Sequence, residues 1–115
     1  MKLKRVSDNQ VLLSNLLIAD TFLSRLIGLL NRKSLSEEEG LLFPKCSAIH
    51  TIGMKFPIDV IFMDRSGRVI KILSEFLPNR VMFWPVRGAY YVLEVKAGWC
   101  QANRVKGGDV LIWEE

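Results

Sequence analysis

Residues 46–64 read C-S-A-I-H-T-I-G-M-K-F-P-I-D-V-I-F-M-D, and they hold His50, the one histidine of the chain, with Cys46, one of its two cysteines. Asp59 lies inside the apolar run that closes the stretch. Reactive polar side chains among so many apolar ones mark either a constructed site or a buried polar network. Gly53-Met54-Lys55-Phe56 is a natural place for the backbone to reverse, and a hairpin centred there pairs residues whose numbers sum to 109. His50 then faces Asp59, Ile49 faces Val60 and Thr51 faces Ile58. Cross-strand partners lie ~4.5–5.5 Å apart at Cα, close enough for the carboxylate to accept the imidazole N–H. So read, the stretch is β structure.

The flanking chain agrees. Downstream, Arg65-Ser66-Gly67 is a hairpin turn, and residues 68–76 (R-V-I-K-I-L-S-E-F) return as a β-branched strand. Leu77-Pro78-Asn79-Arg80 turns the chain, 81–84 reads as a further short strand stopped by Pro85, and Y-Y-V-L-E-V at 90–95 is the clearest strand of the C-terminal half. W-C-Q-A-N-R-V at 99–105 has room for one or two helical turns before Gly107-Gly108-Asp109 leads into a last strand at 110–113. Upstream, 3–6 and 10–19 read as two strands parted by Ser7-Asp8-Asn9, and 41–43 as another stopped by Pro44. Asp20 suits a helix N-cap. Phe22, Leu23, Leu26, Ile27, Leu29 and Leu30 recur at helical spacing after it, which predicts a helix over about 21–30. About eight short strands with one packed helix, and no alternation of strand and helix, predict a mainly β fold. Its form is a two-sheet sandwich or a flattened barrel.

A length of 115 residues suits a single domain, 1–115. With 50% hydrophobic and 24% charged residues, the composition excludes a disordered chain. The net charge of +4 is scattered, with no basic cluster denser than Lys2, Lys4 and Arg5, so nucleic acid is not an expected partner. No apolar run approaches the ~20 residues of a membrane span. Ser7, Asp8, Asn9, Gln10, Ser14 and Asn15 interrupt any signal-peptide core. A soluble, cytoplasmic protein with reduced thiols is the expectation.

Cys46 and His50, four residues apart, would be separated by ~13 Å on a strand, too far to share an ion. The cysteines show no C-x-x-C or zinc-ribbon spacing, so no metal site is expected and no cofactor is named. His50 and Asp59 then carry two readings. In one they form a buried network that holds the 51–57 loop. In the other His50 is a general base or ligand contact oriented by Asp59, with Cys46 as a candidate nucleophile. Met54 and Phe56, at the presumed tip, either line a pocket or plug the barrel mouth; the plug fits better. Glu94 interrupts an apolar strand as a half-exposed carboxylate or, turned inward, as a second acid near Asp59. Trp84, Trp99 and Trp113 fall at strand or turn edges and read as core-rim aromatics rather than sugar-stacking platforms. Asp64 is a turn residue.

No Walker loop, G-x-S-x-G, H-E-x-x-H or dinucleotide fingerprint is present. The expected function is therefore binding of a small molecule or a protein. His50 and Asp59 would be at its centre, with Cys46, Thr51, Met54 and Glu94 as ligand contacts. The alternative is a hydrolase- or transferase-like enzyme using His50 oriented by Asp59.

The 46–64 stretch, together with V-L-E-V-K-A-G at 92–98, S-R-L-I-G-L-L-N-R at 24–32 and G-G-D-V at 107–110, resembles a family of small bacterial and archaeal proteins called domain of unknown function 192. The likeness covers nearly the whole chain. It implies a mainly β, sandwich-like domain and no established activity, substrate or cofactor. Carried over by position, the signature residues are Cys46, His50, Thr51, Met54, Pro57, Asp59, Asp64 and Glu94. The resemblance also implies export for many relatives, against the cytoplasmic expectation.

Overall fold

The computed structural model describes residues 1–19 and 32–115, so the helix predicted over 21–30 lies outside the described residues. Among these, eight strands form: β1 (Lys2–Arg5), β2 (Val11–Leu13), β3 (Asn15–Ile18), β4 (Glu39–Pro44), β5 (Ile58–Met63), β6 (Val69–Phe76), β7 (Tyr91–Lys96) and β8 (Leu111–Glu114). One helical turn, α1 (Trp99–Ala102), stands between β7 and β8. The strands build a three-stranded sheet in the order β2-β1-β8 and a five-stranded sheet in the order β3-β4-β7-β5-β6. Pairing is antiparallel except between β3 and β4, which run parallel. The protein is mainly β, as the strand pattern predicts.

Strand β5, I-D-V-I-F-M, is buried at every position. A strand covered on both faces reads as a near-continuous apolar run instead of an alternation, and this one does. Its residues Ile61 and Met63 join Leu42, Leu93 and Val95 against Leu3, Leu13 and Leu111 of the smaller sheet. Ile58, Val60 and Phe62 point the other way, with Leu41, Phe43 and Val92. That second layer is roofed by two irregular segments, 45–57 and 77–90: Met54 is part of the cluster, while Cys46, Ile49, Phe56, Met82 and Val86 pack on it. Met54 is thus buried beneath the roof.

The Arg65-Ser66-Gly67 turn forms as expected and joins β5 to β6. Asp64 Oδ1 accepts the backbone N–H of Ser66 and of Arg68 and the Ser66 hydroxyl, which holds its carboxyl below the usual range. Gly67 adopts φ +85°, and a Cβ there would collide with the Leu111 carbonyl, so only glycine fits.

Three expectations are corrected. The 10–19 run is two strands in different sheets, because the chain leaves the smaller sheet at Ser14. No strand forms over 81–84; the one ladder contact there is an isolated bridge between His50 and Val81. The hairpin about 53–56 does not form either. Residues 51–57 are turn and coil, and β5 pairs with β6 and β7 in place of the segment before it. An Ile58–Met63 strand buried on both faces gains more from two full-length neighbours than from a short, Gly- and Pro-interrupted partner.

Candidate functional site

Asp59 sits where β6 bulges. Ile58 pairs with Phe76 and Val60 with Leu73, so β6 carries one extra residue opposite Asp59, and Glu75 takes φ 52° there. A bulge leaves a ladder N–H without its partner. Asp59 Oδ1 accepts that N–H from Glu75 at 2.9 Å, and also the N–H of Gly98 at 3.1 Å. Oδ2 accepts the N–H of Cys100 at 2.9 Å. Gly98 is the N-cap of α1 and has no side chain to cap it, so the carboxylate of a neighbouring strand does so. The thiol of Cys100, buried beside this carboxylate, is pushed far up by burial and by the Asp59 charge, and stays protonated.

His50 is exposed, and its backbone pairs with Val81 rather than with Asp59. The two residues that the hairpin expectation brought face to face are therefore apart in register, and both Asp59 oxygens are engaged by backbone amides. Thr51 is fully buried. Its hydroxyl donates to the Leu77 carbonyl at 2.7 Å and accepts the Arg80 N–H at 3.0 Å, while its own N–H donates to the Arg80 carbonyl. With Asn79 Oδ1 accepting the Gly53 N–H, this clips the two roofing segments to each other. Cys46 is half-buried, its thiol 3.1 Å from the Ala48 carbonyl, and neither cysteine forms a disulfide.

Glu94 is not half-exposed. It retains 5% of its surface, in the middle of the five-stranded sheet between Leu41 and Val60, and burial pushes its carboxyl up to about 8. It shares the roofed face with Val92, whereas Asp59 is paired with Val95 and faces α1, so the two acids lie on opposite sides of the sheet. Glu94 is hence no second acid beside Asp59. Among the described residues no three His, Cys, Asp or Glu side chains converge as metal ligands.

Of the expected set, Cys46, Met54 and Glu94 share the roofed face, Thr51 ties the roof together, His50 stands on its outer rim, and Asp59 belongs to the other side. What the sequence reading missed lies beside His50. Phe83 and Trp84 are 86% and 82% exposed, so Trp84 is no core-rim aromatic, and Ile52, Leu77 and Val81 are exposed as well. Trp99, in contrast, is buried with its indole N–H unpartnered, and Trp113 stacks edge-on against Tyr91. The overlooked signal was R-V-M-F-W-P-V-R at 80–87, an apolar hexapeptide bracketed by arginines with no alternation to make it a strand. Lys45, Lys55, Arg80 and Arg87 are all exposed on the two segments, which hold no Asp or Glu. At the far end of the second segment, an open groove is lined by Asp64, Arg65, Ser66, Gly88, Ala89 and Tyr90, with the Arg65 guanidinium 4.5 Å from the centre of the Tyr90 ring.

The family model DUF192, described as Uncharacterized ACR, matches residues 4–113. A UPF0127 protein of Thermococcus kodakarensis is 30% identical over 100 residues, which are 84% of this chain and 62% of that protein. Another, from Thermococcus sibiricus, is 33% identical over 101 residues, covering 84% of this chain and 64% of its own. The chain thus spans under two thirds of the length of these relatives. A crystal structure of a Novosphingobium aromaticivorans protein of unknown function superposes with a TM-score of 0.81 at 26% identity, covering 97% of this chain and 82% of that one. A Sinorhizobium meliloti structure with a provisional transcription-regulator name also scores 0.81, at 24% identity, covering 96% and 89%. That likeness speaks for the fold alone.

Proposed function

This chain belongs to the DUF192 family of uncharacterised proteins, and from that premise we propose that it is a binding module whose recognition surface is the outer side of the 45–57 and 77–90 roof, with His50 on its rim. The observation that carries the reading is the pair of bare aromatic side chains, Phe83 and Trp84, standing beside the His50–Val81 bridge. A monomer rarely leaves two adjacent large aromatics in water without a use for them. The Thr51 clip supports it, because a surface made of two loops needs them held in one register to present a constant shape.

A general-base role for His50 lacks its orienting carboxylate, since Asp59 spends both oxygens on backbone amides. Binding is the better account of this geometry. The test is a footprint: the isotope-labelled chain is titrated separately with a metabolite mixture, polyglutamate and lipid nanodiscs while backbone amide shifts are followed. Changes concentrated in 45–57 and 77–90, and weakened in His50→Ala, are expected. Changes centred on Asp64, Arg65 and Ser66, the wall of the groove outside both segments, or none with any probe, would overturn the assignment.

A further inference from the structure

We propose that the 80–87 loop is a peripheral membrane anchor, which seats Phe83 and Trp84 in the interface of an anionic bilayer. The inference rests on the binding-module reading and gives that surface its occupant. Three observations lead to it. The apolar run V-M-F-W-P-V is bracketed by Arg80, three residues before Phe83, and Arg87, three residues after Trp84, and Lys45 and Lys55 add positive charge on the adjoining segment. All four cations are exposed, and among the described residues none takes part in an ion pair. Around the tip, Ile52, Leu77 and Val81 add apolar surface that is also left bare.

Their shape and charge select a bilayer over a protein pocket. Anchors of protein interfaces are rings held in place before the partner arrives, because ordering a loose side chain costs affinity. Phe83 and Trp84, at 86% and 82% exposure, touch almost nothing that would hold a rotamer. A fluid interface asks for no fixed rotamer. It asks for amphipathic aromatics at headgroup depth and cations at the phosphate level, which is the arrangement found. The nearest exposed acid by sequence is Glu75, at the end of β6 and outside both segments.

The experiment is flotation of the chain with vesicles of phosphatidylcholine alone or with about 30% phosphatidylserine, at low and at high salt. Partition to the anionic vesicles is expected, falling several-fold between about 0.1 and about 0.5 M salt. Phe83→Ser/Trp84→Ser should lower it about 30-fold and Arg80→Glu/Arg87→Glu about 10-fold or more. Both variants should keep the wild-type melting temperature, as the side chains replaced carry no packing. Because Trp99 is buried and Trp113 half-buried, a blue shift of the indole fluorescence on vesicles reports Trp84. No partition, equal partition to neutral vesicles, or variants that bind like wild type would overturn the anchor. If polyglutamate marks the same loops while vesicles do not bind, the membrane is the wrong occupant and the binding surface itself stands.

Discussion

Asp59 and Glu94 are acids on adjacent central strands of one sheet, each at most 5% exposed, and the protein treats them in opposite ways. Asp59 meets three backbone N–H donors, left over by a β-bulge and a capless helical turn. Glu94 has no hydrogen-bond partner among the described residues, and its carboxyl is raised to about 8 by burial alone. The difference shows that a buried carboxylate is structural when the backbone around it lacks acceptors. When the surroundings are apolar it is a neutral acid, held at a cost. The first kind organises a fold; the second is a stored instability on the face beneath the roof.

Removing the first acid has the largest expected effect. Asp59→Ala orphans three amides, at 1–3 kcal/mol for each buried donor left unmade, so a loss of about 3–5 kcal/mol is expected in urea unfolding, with fraying of α1 in amide exchange. Asp59→Asn, which still accepts through one oxygen, should lose less.

Glu94 should respond in the opposite direction. Below its unfolded value of 4.5 the carboxyl is protonated folded and unfolded alike. Between 4.5 and about 8 only the unfolded chain ionises, so the native state holds the extra proton and stability falls as pH rises through that window. At ~1.36 kcal/mol per unit over the roughly 2.5 units between 4.5 and pH 7, Glu94→Gln should stabilise the protein by up to about 3 kcal/mol at pH 7 and remove this decline. Melting curves of the two proteins from pH 4 to pH 9 (about half-unit steps) that ran parallel would sink the assignment.

Thr51→Val sharpens the contrast between a satisfied polar group and an apolar substitute. It keeps the shape but strands the Leu77 carbonyl and the Arg80 amide, for an expected loss of about 1–2 kcal/mol by denaturant midpoint. Smallest of all, His50→Ala should change stability by no more than ~0.5 kcal/mol, since the side chain is exposed. A larger loss would return His50 to a structural network.

Much of this was legible in the chain. I-D-V-I-F-M and Y-V-L-E-V-K announce strands because β-branched and apolar residues fill them, and Asp64-Arg65-Ser66-Gly67 announces its turn by glycine and Asx chemistry. Residues 46–64 were singled out as well, from their composition. Their internal pairing was not, because a run apolar on both faces has no alternation to set register, and one of the two neighbours it takes, β7, lies about thirty residues further on. Val81 to Trp84 misled for a related reason: apolar composition is shared by a buried strand and a bare loop, and only burial separates them.

The amino-acid order alone determined a mainly β domain, the places where it turns, and that Asp59 within its apolar run needs partners, since those properties follow from local conformational preference and from the cost of an acid among apolar neighbours. Tertiary structure decided which acid meets donors, where the histidine ends up, and that two aromatics remain outside. Those outcomes depend on how distant strands share a sheet, and non-local pairing of this kind leaves no mark in the residues that it brings together.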